Sequence, residues 1–183
     1  MDDIVRQAIA KWPNVPHCYG WLGLDARGQW FMRDDRVQAA GSFAQAKGSL
    51  LRHDKLVEFI QRNYESDPQG CWFFQNGPQR VYVELEIAPW ILRVGPQADV
   101  TTHTGLVLAP RGTLVDEEGR LFVDTDRGLG LVHTLDMHAA ADIVEQGVWD
   151  PEPVVAATLP ARFGHVLSPA ASRPAPGSHV PAP

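Results

Sequence analysis

The sequence predicts an α+β protein: mainly antiparallel, strongly bent sheet, with two or three packed helices. Three observations carry that expectation. Residues 70–94 hold the densest strand pattern in the chain. Only 2–12, 51–65 and 136–146 repeat apolar residues at helical spacing. Three Asp-x-x-Gly segments, starting at Asp25, Asp67 and Asp116, separate short apolar runs in the manner of hairpin turns.

Within 70–94, Val81, Val83, Leu85 and Ile87 alternate with Arg80, Tyr82, Glu84 and Glu86, the period of a strand with one buried and one wet face. Asn76-Gly77 upstream marks a hairpin, because both residues tolerate positive φ. Pro78 argues for a four-residue loop over 76–79. Ala88-Pro89 then interrupts the ladder, since proline has no amide hydrogen. Trp90 to Val94 reads as a bent continuation of one long, kinked strand.

Taken in order, 2–12 is a short helix with Val5, Ala8, Ile9 and Trp12 on one stripe, capped by Asp2 or Asp3 and ended by Pro13. A strand through Leu24 and a return over 29–33 flank the Asp25 turn. Residues 36–48 have no firm period and read as irregular. The 51–65 helix aligns Leu56, Phe59, Ile60 and Tyr64. Beyond the central stretch, short strands are expected within 97–104, 106–108, 113–115 and 120–124. A helix over 136–146 follows, with Asp136 as N-cap, Met137, Ala140, Ala141 and Val144 as its stripe, and Gly147 as its stop. An edge strand is expected around Val154.

The chain has 183 residues, 44% hydrophobic and 21% charged, enough for a real core in one domain or two small lobes. We expect an N-terminal α+β lobe over 1–95, a C-terminal α+β lobe over 96–167, and a tail over 168–183. The tail's composition buries too little apolar surface to order it. A formal charge of −6 without a basic cluster argues against nucleic acid as a partner. No apolar run approaches the roughly 20 residues of a membrane span, and Met1-Asp2-Asp3 does not open a signal peptide. Cys18 and Cys71 make no disulfide framework and read as buried, reduced thiols. The expected location is the cytoplasm, with no membrane contact. The expected state is a monomer or homodimer.

The Asp-x-x-Gly turns also raise a duplication, in which a β-hairpin–helix motif is used twice; the alternative is that such turns are simply built this way. They lack the ligand offsets of a calcium loop. Trp72-Phe73, the Val81-x-Val83-x-Leu85-Glu86-x-Ala88-Pro89-Trp90 run, His53-x-x-Leu56-Val57-x-Phe59 and Ala141-x-Ile143-Val144-Glu145-x-Gly147-Val148-Trp149 resemble uncharacterised bacterial proteins grouped as domains of unknown function. That resemblance implies a two-lobed α+β fold with repeated strand–helix motifs and a role in sensing or signalling. It carries over no catalytic residue.

Candidate chemistry is sparse. His138 and Asp142 stand at i, i+4 on a helix, a spacing that can hold a metal, with His103 or His133 as a third ligand. Cys18 beside His17 resembles a nucleophile and base, but strand neighbours point to opposite faces. Glu84 and Glu86 lie on one strand face, about 7 Å apart, and read as solvated. Gly128-Leu129-Gly130 lacks a nucleotide-loop context. Trp21, Trp30, Trp72 and Trp90 read as core or as walls of a ligand groove.

The function expected is therefore a non-enzymatic binding or sensing module, linked to signalling, with a groove between the lobes lined by Trp90, Arg80 and His133. Its partner is a small molecule or a protein, and no cofactor is required. A small metal-dependent hydrolase using His133, His138 and Asp142 is the second reading. An adaptor pairing through an edge strand is the third.

Overall fold

A computed structural model describes residues 3–11 and 15–173, apart from the side chains of Ile4, Val5 and Ala8. The chain runs α1 (Asp3–Lys11), β1 (Cys18–Leu24), β2 (Trp30–Met32), α2 (Asp35–Ala39), β3 (Ser49–Leu50), α3 (Asp54–Arg62), β4 (Tyr64–Ser66), β5 (Trp72–Asn76) and β6 (Gln79–Leu85). It continues through β7 (Trp90–Val94), β8 (Val100–Thr102), β9 (Val107–Leu108), β10 (Pro110–Asp116), β11 (Leu121–Thr125), β12 (Gly128–Val132), α4 (Met137–Glu145), β13 (Glu152–Val154), α5 (Leu159–Phe163) and α6 (Pro169–Ser172). Val5, Ala8 and Trp12 of the expected first-helix stripe, and residues 174–183 of the expected tail, lie outside what is described.

Two sheets share these strands. The first has six strands in the order β3-β2-β1-β6-β5-β4, and the second has seven, in the order β13-β10-β11-β12-β7-β8-β9. Read from the opposite edge, the second sheet is strung like the first, with β13 added. Each centres on one parallel pair, β1 with β6 and β7 with β12, flanked by antiparallel hairpins. The expected α+β class with mainly antiparallel sheets is what the chain forms.

Residues 86–89 are where the chain changes sheet. The long, kinked strand of the sequence reading is in fact two strands in different sheets, β6 and β7. Pro89 has no ladder hydrogen to give, and Ala88 is fully buried at the crossing. One buried cluster then runs through both sheets, including Leu24, Trp30, Trp72, Val83, Trp90, Leu92 and Val123. A second cluster, with Ile91, Phe122, Leu129 and Leu131, lies on the other face of the second sheet and takes in Leu159 of α5.

The three Asp-x-x-Gly turns are the same object three times. In each, one carboxylate oxygen accepts the amides two and four residues on: Arg27 and Gln29 for Asp25, Gln69 and Cys71 for Asp67, Glu118 and Arg120 for Asp116, all at 2.8–3.0 Å. The glycines adopt φ of +76°, +81° and +74°, a region that suits a residue without Cβ. At Asn76–Gln79 the loop is tighter than the four residues expected, because Asn76 pairs directly with Gln79. Gly77, at φ +56°, supplies the positive φ that the first position of a type II′ turn needs, and the fixed negative φ of proline suits the second.

Other differences have local causes. Helix α3 starts three residues later and stops earlier than the sequence period implies. His53 Nδ1 caps it at Leu56 N–H, and Tyr64 leaves the helix to pair with Phe74 in β4. The 36–48 stretch begins with α2 and is then folded around Arg33, which is 4% exposed. The Arg33 guanidinium donates to the carbonyls of Ala46 at 3.0 Å and Gly41 at 2.7 Å. In α4, Ile143 is buried and Ala141 exposed, and Asp136 caps nothing. The Asp136 carboxylate is engaged instead by Arg93 at 2.6 and 2.9 Å, which holds it below the usual carboxylate range.

Strand β6 departs most clearly from one buried and one wet face. Tyr82 and Glu84 are as buried as Val83 and Leu85. The covering comes from residues 165–172: Val166 N–H donates to Gly70 O, Leu85 N–H to Leu167 O, and Ala170 N–H to Glu84 Oε1. Residues 169–172, expected in a disordered tail, thus form a helical turn against the first sheet. Glu84 is therefore not solvated. Glu86 is half-buried and takes Lys47 at 2.8 Å and Ala26 N–H at 2.7 Å.

Candidate functional site

A polar cleft of about 170 Å³ opens where three segments meet: the Asp67 turn between β4 and β5, the Arg127-Gly128 turn between β11 and β12, and the end of α5. Pro89, at the change of sheet, also lines it. Each segment reaches the cleft for a local reason. Gly70 must be glycine twice over, because a Cβ there would run into the Gly164 carbonyl. Pro160 opens α5, and Gly164 ends it at φ +64°. Thr125 Oγ1 closes the third segment by donating to Gly128 O at 2.6 Å and accepting Arg127 N–H at 3.2 Å.

His165 is the unusual member. It is 5% exposed, and neither ring nitrogen makes a hydrogen bond of good geometry. Burial pushes its pKa down to about 4, against an opposing pull from the Ile87 backbone. At neutral pH the imidazole is uncharged, so it can donate from one nitrogen and accept at the other. Trp72 and Phe163 supply aromatic surface beside it, and Arg127 supplies a cation. Asp67 accepts three bonds, two at Oδ1 from its own turn and one at Oδ2 from the Tyr82 hydroxyl at 3.1 Å, and keeps its negative charge. Burial foremost, with that bond, pushes the Tyr82 pKa up to about 12.

The residues expected to line a groove are not brought together. Trp90 is 3% exposed, packed on Trp72 with centroids 4.8 Å apart and on Tyr64 at 5.4 Å. It sits beneath the cleft rather than in it, and its indole N–H donates to the Arg127 carbonyl at 2.9 Å. Arg80 stacks on Phe73 at 4.4 Å, on the first sheet. His133 caps the turn after β12, with Nδ1 accepting Leu135 N–H at 3.1 Å. Among the described residues no three His, Cys, Asp or Glu side chains gather as a metal would need, so His133, His138 and Asp142 are not a ligand set.

Trp21 lines an open apolar groove. It is 40% exposed and walls an apolar depression of about 300 Å³ with Met32, Leu56, Phe74 and Val81. Cys18 opens onto the same depression. Both cysteines are free and half-buried, and burial raises the pKa of each.

Sequence reasoning passed over His165 and Arg127. The sequence predicts no helix before Gly164, so nothing set His165 apart from the other histidines. Its burial was not legible either, because it depends on the Asp67 turn some 100 residues upstream.

The fold and cleft define a two-sheet α+β protein whose polar cleft lies where its sheets join. The sequence model of the family DUF2944, described as "Protein of unknown function (DUF2946)", matches residues 1–170, and the chain belongs to this family. That agrees with the resemblance to uncharacterised families read from the sequence. Among curated proteins nothing matches. A crystal structure of a DUF1285 family protein from Silicibacter pomeroyi DSS-3 is similar in fold, with TM-score 0.50 and 15% identity over 78% of this chain and 85% of that one. A second DUF1285 family protein, from Shewanella baltica OS155, gives TM-score 0.45 and 14% identity over 67% of this chain and 91% of its own. Among the described residues no helix is long and apolar enough to cross a membrane.

Proposed function

We propose that this protein is a cytoplasmic binding or sensing module that takes a small molecule in the cleft between its two sheets. The observation that carries this reading is His165: a buried imidazole, with no hydrogen bond of good geometry on either nitrogen, lining a polar cleft. Buried polar groups without partners cost roughly 1–3 kcal/mol each, a cost that a ligand's hydrogen bonds would offset. The cleft is also where a signal would be felt by both sheets, because its walls belong to both. The matching strand order of the sheets supports a duplication, on a larger unit than one hairpin and helix.

The test is a fragment screen read by two-dimensional NMR on the full chain. Hits should cluster on the Gly70 and Gly164 amides and the Trp72 indole. A screen whose hits gather elsewhere, or that yields none, would overturn the reading. The adaptor alternative draws on one observation, the edge strand β9, where Val107 is 74% exposed beside Leu106 at 42%. Concentration-dependent self-association lost in Val107→Lys would favour it.

A further inference from the structure

We infer that the apolar groove beside Trp21 is a helix-docking site, and that its occupant is this chain's own α1, laid along it by the Val5, Ala8, Ile9 and Trp12 stripe.

The groove calls for an apolar cover. Strands of the first sheet and α3 line its volume of about 300 Å³. Trp21, Met32 and Leu56 are exposed there at 40%, 49% and 36%, beside buried Leu22, Ile60 and Phe74. Large apolar side chains exposed side by side mark an interaction surface on a globular protein. A small-molecule site adds a few placed polar groups that orient its ligand. Here the polar contributors are exposed Asn76 and the Cys18 thiol, which burial keeps uncharged at neutral pH.

The occupant follows from α1. Nine residues are too few for a helix to hold in water by itself, where roughly 12–15 are already marginal. Its stability therefore needs a surface for its apolar face. By spacing, Val5, Ala8, Ile9 and Trp12 share that face at i, i+3, i+4 and i+7, the pattern with which an amphipathic helix enters an apolar groove. Ile9, the described side chain of the stripe, is half-buried and joins neither buried cluster. The groove begins at Cys18, and the six residues 12–17 that join α1 to it reach no more than about 25 Å. A tether that short holds the helix at high effective concentration over the groove. None of the described α1 side chains lines the groove in this structure, so docking is a second position of the helix and α1 is a removable cover.

The experiment follows iodoacetamide modification of Cys18 in the full-length chain by peptide mass mapping. Cys71, also free and half-buried but outside the groove lining, is the internal reference. Ile9→Asp brings a charge that cannot be seated among apolar side chains, and should raise the Cys18 rate at least about tenfold while Cys71 keeps its wild-type rate. Gln7→Asp puts the same charge on the opposite side of the helix by spacing, and should change neither rate. From the groove side, Trp21→Ala should speed amide exchange at Ile9, Ala10 and Lys11. A Cys18 rate that Ile9→Asp leaves unchanged, or α1 exchange that Trp21→Ala leaves unchanged, would overturn the proposal. So would a rise at both cysteines in Ile9→Asp, which would give Ile9 a part in the whole fold and not in a cover. Protection of Cys18 that grows with protein concentration would put a second copy in the groove and refute the assignment to the chain's own helix.

Discussion

Acidifying the protein from pH 7 to pH 5 should remove a large part of its stability, through two histidines. Burial holds the pKa of His165 at about 4 and that of His103 at about 3. The His103 ring is packed among Trp30, Tyr64 and Trp90, with centroids 5.6–5.9 Å away, and its Nδ1 accepts the Ile91 amide at 3.3 Å. In the unfolded chain both side chains return to a pKa near 6.5. Depressed folded values mean that the unfolded state takes up protons first as pH falls. The contribution of each neutral ring is therefore complete above about pH 6.5 and is lost as pH drops towards the folded value. At pH 5 both rings are still neutral in the fold and almost fully protonated outside it. Each then costs about 2 kcal/mol, roughly 4 kcal/mol together, against a total on the order of 5–15 kcal/mol. The size of this step is insensitive to the folded pKa values so long as both lie below 5. Urea unfolding followed by tryptophan fluorescence, repeated at half-unit intervals between pH 7 and pH 5, measures it. His165→Gln and His103→Gln should each remove about half of the slope, whatever they do to stability at pH 7. A wild-type stability that is flat across this interval would refute the burial of both rings.

Further expectations concern packing and the turns. Trp90→Ala should cost about 3–5 kcal/mol, as large aromatic-to-alanine changes in cores do, and lower the melting temperature by roughly 6–20 °C; a variant that melts within 2 °C of wild type would place Trp90 outside the core. Gly70→Ala and Gly119→Ala occupy the same position of the same turn, at φ +81° and +74°, but a Cβ meets the Gly164 carbonyl at the first and nothing at the second. Gly119→Ala should therefore cost only the roughly 1–2 kcal/mol of left-handed strain, and Gly70→Ala clearly more; equal losses in urea unfolding would contradict the contact between the Asp67 turn and α5. Lys47→Met should destabilise by about 1–3 kcal/mol, because it leaves half-buried Glu86 and buried Asp25 without their shared cation. Chemical denaturation with and without 1 M salt would check this.

Much of the fold was legible because its signals are local. The Asp25, Asp67 and Asp116 turns announce themselves through a carboxylate that must reach its own amides and a glycine that must take positive φ. The alternation around Val83 named the strand that lies at the centre of the first sheet. What was not legible depends on residues far apart in sequence. Tyr82 and Glu84 look like the wet face of β6 until residues 165–172 are laid over them. Tyr64 completes a helical stripe by spacing, yet its ring belongs between Trp72 and Trp90. The cleft was hidden for the same reason: Asp67, Arg127 and His165 are about 40–100 residues apart, neither Arg127 nor His165 belongs to a motif, and only the change of sheet at 86–89 brings their turns together.

The cover over β6 has a bearing on how the chain is made. Leu85 finds its amide acceptor at Leu167, about 80 residues later, and Glu84 finds its donor at Ala170. At roughly 5–20 residues per second of synthesis, a ribosome needs on the order of 4–16 s to travel from one partner to the other. During that interval the first sheet has all its strands synthesised but an open outer face, with Tyr82 and a carboxylate waiting for a covering segment that has not yet been made. A chain cut short between β6 and residue 165 would keep that face open for good, and it is this species, rather than the finished protein, that a chaperone or protease would meet.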